Sequence, residues 1–142
     1  MIQYWDTSAL VKLVVTEDGS IAARALLRES HYAASCRIAY VEACAAIARA
    51  GREGRLAPEA LVPVKTAFRA LWLDLVMIEV DQALLEHASM VAERHALRGY
   101  DATHLAAAAT ICAPGQPATF VTWDLRQAQA AAAQGLAVAP RP

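Results

Sequence analysis

Short apolar runs alternate with stretches of helical period along this chain, and that alternation constrains its fold most. Residues 2–5, 32–35, 75–80, 119–123 and 136–138 read as strands, the last at an edge. Thr7 or Ser8 caps a helix through Val15, and Ser20 caps a second to about Glu29. A third is expected over residues 37–50, stopped by Gly51. The fourth presents Leu61, Val64, Phe68 and Leu71 on one face. Pro58 and Pro63 leave it two readings, a kink or a start near Leu61. The fifth presents Leu84, Leu85, Ala88, Val91 and Ala92, and Gly99 breaks the chain before a sixth over residues 101–111. After a loop at 113–118, Asp124 opens a last helix that Gly135 stops. Strands separated by helices predict a mainly parallel sheet covered on both faces, a three-layer α/β/α sandwich in one domain, 1–142. Ligands of such sheets gather beyond the strand C-termini, so Asp6 and Asp124, each following a strand, share an address.

Composition narrows the class. Hydrophobic residues make up 57% and charged residues 19%, which excludes a disordered tail or a highly charged coiled coil. The opening MIQYWDTSAL is unlike a signal peptide, and no apolar run reaches the roughly 18 residues of a membrane span, so a soluble cytoplasmic protein is expected. Cys36, Cys44 and Cys112 form no CxxC pair and read as reduced, mostly buried thiols. The net charge of −1 argues against a strongly basic nucleic-acid binder. Of the 13 basic residues, however, only Lys12 and Lys65 are lysine, and arginine suits phosphate, so a local basic rim stays open.

Asp6, Glu42, Asp101 and Asp124 are the candidate chemical groups, and each also has a purely structural reading. Asp6, Asp101 and Asp124 suit helix N-termini, as caps or as charges on the dipole. Glu42 lies among apolar and small residues in AYVEACAAIA, where a carboxylate needs a partner, a proton or a cation unless its helix turns it to solvent. Taken together, an oxygen-only acidic set is what Mg²⁺ or Mn²⁺ demands. Two carboxylates about 4 Å apart repel by ~4 kcal/mol at an effective dielectric near 20, so such a set needs a cation or a proton.

The opening MIQYWDTSALVKL resembles that of the PIN-domain family, where a strand delivers an Asp to small hydroxyl residues and an apolar helix. AYVEACAAIA, LRGYDATHLAAAA and FVTWDLRQAQAAAAQGLAV are similar to the family's later motifs in order, nearly the whole chain being covered. Within the family the chain looks most like the VapC-type toxins of toxin–antitoxin pairs. The resemblance implies that Asp6, Glu42, Asp101 and Asp124 bind Mg²⁺ or Mn²⁺ and that RNA is hydrolysed to leave a 5′-phosphate. It makes Ser8 and Thr122 supporting groups, Lys12 and Arg98 candidate RNA phosphate contacts, and an antitoxin and a second copy of the chain the expected partners. Trp5 and Trp72 belong to such an interface or to the core. His104 reads as a packed core histidine, and Gln127 and Gln129, polar in a helix that is often more apolar in the family, as a matter of packing.

A receiver domain and a haloacid-type phosphatase fit poorly. Both lysines lie in predicted helices, and residue 8 is Ser where the phosphatase wants Asp. Two rivals remain: a nuclease or phosphoesterase acting on DNA or another phosphate ester, and a non-catalytic module that keeps the fold.

Overall fold

The computed structural model describes residues 1–112, 115 and 118–140; most of the predicted loop at 113–118 lies outside them. Strands β1 (Ile2–Trp5), β2 (Tyr32–Cys36), β3 (Val76–Ile78), β4 (Ala118–Val121) and β5 (Ala137–Ala139) form one parallel sheet in the order β3-β2-β1-β4-β5. The helices are α1 (Thr7–Val14), α2 (Ser20–Arg28), α3 (Ile38–Arg52), α4 (Leu61–Asp74), α5 (Gln82–His95), α6 (Gly99–Thr110) and α7 (Leu125–Ala133). This is the expected three-layer α/β/α sandwich.

The two faces of the sheet follow from strand alternation. Tyr4, Ala34, Cys36 and Phe120 point to one side and pack under α5, α6 and α7. Trp5, Val121 and Ala139 point to the other, under α1, α2, α3 and α4. Trp5 is fully buried and donates its indole N–H to Gln3, so it belongs to the core. Trp72 is partly buried against Tyr40 and Phe68. Alanine lets α6 lie close to the sheet, with Ala106 and Ala107 fully buried.

From β1 the chain builds outward to β2 and β3, then returns to build β4 and β5 on the opposite side. The order reverses between β1 and β4, which pair directly from Ile2↔Ala118 to Trp5↔Val121. A crevice opens at such a switch point, beyond the strand C-termini. Asp6 follows one of these strands and Thr122–Asp124 the other.

Several element boundaries differ from the sequence reading. The fourth helix starts at Leu61, as one of the two readings had it, with Pro58–Ala60 forming a separate 3₁₀ turn. Helix α3 continues through Gly51 to Arg52, because the left-handed turn falls at Gly54 (φ +71°). Helix α6 begins at Gly99, not Asp101, because the break lies upstream, at left-handed Ala96 and extended Arg98. Strand β3 is shorter than expected, and β5 is the predicted edge strand, after Gly135 (φ +80°).

Candidate active site

Asp6 directly follows β1 and is fully buried. Its Oδ1 caps α1 by accepting from the Ala9 amide at 2.9 Å, and Ser8 Oγ donates to both carboxylate oxygens at 2.7 and 3.0 Å. Oδ2 also accepts from Thr122 Oγ1 at 2.6 Å and from Gln127 Nε2 at 3.1 Å. Ser8 Oγ in turn accepts from the Trp123 amide, and Thr122 Oγ1 from the Asp124 amide. The two hydroxyls thus tie the ends of β1 and β4 to one carboxylate. Burial pushes the Asp6 carboxyl up, against the lowering effect of His104 and these donors.

Glu42 projects from α3 and is partly buried. Its Oε1 accepts from Thr7 Oγ1 at 2.8 Å and lies 2.7 Å from His104 Nε2. Burial would raise this carboxyl, but the contact with His104 outweighs it and holds the group low. His104, 1% exposed, places Nδ1 2.8 Å from the Tyr4 hydroxyl and 3.6 Å from Cys36 Sγ. Burial pulls its pKa down, yet Cys36 and Glu42 together raise it to about 10. The histidine is therefore packed in the core and also anchors Glu42, a role sequence reasoning missed. Its position three residues after Asp101, on the same side of α6, was the available signal.

Asp101 sits in the first turn of α6 and accepts from Gln127 Nε2 at 3.2 Å. Its carboxyl is raised by burial, then by the charges of Asp124 and Glu42, so three acids share one electrostatic neighbourhood. Asp124 caps α7, its Oδ1 accepting from the amides of Arg126 and Gln127. Capping and site membership are therefore compatible for Asp6 and Asp124, which the sequence posed as alternatives.

Gln127 was read as a packing feature, and the structure corrects this. The side chain is 4% exposed, and its amide bridges Asp6 and Asp101. The other candidates divide. Lys12 is not free for a ligand, because its ammonium donates to Glu17 at 2.9 Å and to the Asp18 carbonyl at 2.8 Å, beside the Trp123 ring. Arg98 is exposed just before α6, and its charge opposes the rise at Asp101.

An open groove of about 680 Å³ runs from Thr7, Ser8 and Glu42 along α3 to Arg49, Arg52 and Arg55. Arg49 and Arg55 pair with Glu53, and Arg55 also approaches Glu17. Arg52 has no ion-pair partner among the described residues.

The all-oxygen donor set fits a hard divalent cation. As the side chains stand, each carboxylate is engaged by protein donors, and no three acidic, His or Cys groups among the described residues close a metal shell.

Comparison with known proteins places the chain in a family. The PIN domain family matches residues 4–133. The chain belongs to the PIN-domain family, and its curated relatives there are of the VapC type. Ribonucleases VapC45 and VapC49 of Mycobacterium tuberculosis are each 39% identical over 137 residues, 96% of this chain and 94% of theirs. PAE2754 from Pyrobaculum aerophilum superposes with a TM-score of 0.67 at 22% identity, covering 96% of this chain and 83% of its own. VapBC2 from Rickettsia felis, bound to a promoter DNA fragment, gives 0.63 at 14% identity and 97% of each chain. A Klebsiella pneumoniae toxin–antitoxin complex gives 0.60 at 18% identity and 86% of each. At these identities the solved structures establish the fold alone.

Proposed function

We propose that this chain is a metal-dependent endoribonuclease, the toxin of a type II toxin–antitoxin pair, with Asp6, Glu42, Asp101 and Asp124 holding Mg²⁺ or Mn²⁺. The observation that carries the reading is the gathering of these acids, from four separate elements, at the switch point of the sheet. The 39% identity to named ribonucleases over most of both chains supports RNA as the phosphodiester. When bound, such an ion supplies Lewis acidity toward water and toward the scissile phosphate.

The remaining work falls to the protein. Ser8 and Thr122 hold Asp6, while Thr7 and His104 hold Glu42, so two carboxylates are oriented by groups that are themselves fixed. The RNA strand lies along the groove, with Arg49, Arg52 and Arg55 taking its phosphates. Glu53, which pairs with Arg49 and Arg55, is exposed and weakly held, so a phosphate displaces it at small cost. Arg98, beside Asp101, is a further phosphate contact, and Lys12 supports the groove wall.

An antitoxin and a second copy of the chain are the proposed protein partners. Helices α3 and α4 leave Val41, Val62 and Leu73 exposed, apolar surface that a partner would cover. No helix among the described residues is long and apolar enough to cross a membrane, and a cytoplasmic location suits the proposed substrate.

Digestion of labelled RNA and labelled single-stranded DNA, each in Mn²⁺, Mg²⁺ and EDTA, tests the activity. RNA cleavage that EDTA abolishes is expected. Equal cleavage of DNA, or RNA cleavage that persists in EDTA, contradicts the reading.

A further inference from the structure

We propose that the side-chain amide of Gln127 holds the place of a cation between Asp6 and Asp101, and that it turns over when a divalent ion is loaded. This rests on the reading of the acids as a metal site.

Three observations carry the inference. The first is the bridge. The two hydrogens of Nε2 serve two carboxylates from different elements, Asp6 Oδ2 at 3.1 Å and Asp101 Oδ1 at 3.2 Å. A polarised N–H₂ group placed between two anions does part of a cation's work, and these are charge-assisted bonds. The second is the other end of the same amide. Gln127 Oε1 is buried and has no hydrogen-bond partner. A lone buried acceptor is costly, and a leucine would fill the position without it, so packing alone does not explain a glutamine here. The bridge fixes the amide's orientation, since the reverse would press Oε1 against both carboxylates.

The third is saturation at Asp6. An ionised carboxylate offers about four lone-pair positions. Asp6 spends them on Ala9 N, Ser8 Oγ, Thr122 Oγ1 and Gln127 Nε2. An incoming ion must displace one donor. The Ala9 amide is the cap of α1, and the two hydroxyls join the ends of β1 and β4. Only the Gln127 amide leaves without loosening an element. Its last torsion is soft and roughly two-fold, so rotation itself is easy, and the two hydrogen bonds given up are replaced by the carboxylates' attraction to the ion. That half-turn withdraws Nε2 from the carboxylates and presents the orphaned oxygen to the side where positive charge now lies.

The ¹⁵N-labelled full chain tests this directly. The Gln127 side-chain NH₂ pair is assigned by its absence from the spectrum of Gln127→Leu. Calorimetry run in parallel reports whether Mg²⁺ binds. On saturation with Mg²⁺ the pair is expected to shift, since its hydrogens leave both carboxylates. A pair unchanged while calorimetry registers binding overturns the proposal and leaves the metal site standing. No binding by calorimetry overturns both.

A second variant supplies an independent readout. Gln127→Glu keeps the shape and presents an acceptor at both ends, so it imitates the loaded orientation only. It is expected to melt lower than the native chain in EDTA and to gain more in Tm on addition of Mn²⁺. An equal or smaller gain overturns the proposal.

Discussion

His104 stands 2.7 Å from Glu42 and 3.6 Å from Cys36, which together raise its pKa, and this gives the site a definite pH signature. The folded pKa of His104, about 10, lies above its unfolded value near 6.5. Its contribution is therefore complete below pH ~6.5 and is lost as pH rises through about 10. Glu42 is depressed when folded, so its contribution is present above its unfolded value and lost as pH falls through the folded one. Replacing His104 by Ala is expected to cost about 2–4 kcal/mol at pH 6, and to flatten the decline in stability between pH 7 and 10. Urea titrations across that range check it; a variant with the native slope would show that the pair is not ionic. Asp101 behaves oppositely, because burial and then Asp124 and Glu42 raise its carboxyl. Its charge costs stability at neutral pH, a cost relieved as pH falls through the raised folded value. Asp101→Asn should raise stability in EDTA at pH 7 by up to about 1 kcal/mol, solvent screening keeping the figure small. A clear fall in Tm in that buffer would argue against clustering of the acids.

The turn between α1 and α2 shows how an element far away in sequence shapes the site. Gly19 adopts φ +88°, and a Cβ there would stand 2.5 Å from Trp123 Nε1 and 3.2 Å from Lys12 Cδ. Both objections, left-handed backbone and a blocked side, apply to any other residue. Gly19→Ala is expected to cost about 1–3 kcal/mol and to displace Trp123 from the groove wall, read as a lower urea midpoint and a shifted indole fluorescence. A native midpoint would mean that Trp123 moves freely. The sequence announces this turn through Asp18-Gly19-Ser20 but says nothing of the tryptophan above it, since the contact spans most of the chain. Other boundaries were legible only where a local signal coincided with the actual break. Gly135 and its positive φ did so. Gly51 and Gly99 did not, because the left-handed residues fell at Gly54 and Ala96, and an alanine gives no such signal.

For the whole molecule, the parallel three-layer fold was readable from alternation alone, because helices between strands leave few other connections. The common address of Asp6 and Asp124 was readable too, once both were seen to follow strands. The strand order and the internal polar network were not. Gln127 looked like a departure from an apolar pattern because its carboxylate partners lie 26 and 121 positions away. The arginine content left a local basic rim open, but a net charge of −1 averages over the whole surface and could not say where basic residues collect. If that groove carries RNA, replacing Arg49, Arg52 and Arg55 together by Ala should weaken RNA binding in an Asp101→Asn background. The slope of log affinity against log salt should flatten by about 2, the single-strand value for three phosphate contacts. Filter binding at several salt concentrations checks this, and an unchanged slope would assign the groove to another ligand.

The central claim is that four acids act as one metal site on RNA. It is met most directly by single-turnover cleavage of an RNA substrate at saturating Mn²⁺, with Asp6→Asn, Glu42→Gln, Asp101→Asn and Asp124→Asn beside the native chain. Each variant is expected to fold and to lose at least about 10-fold in rate, since even loss of a group that only orients a metal ligand costs about 10–100-fold. One variant that folds and cleaves at the native rate would remove that carboxylate from the site, and native rates in all four would contradict the account.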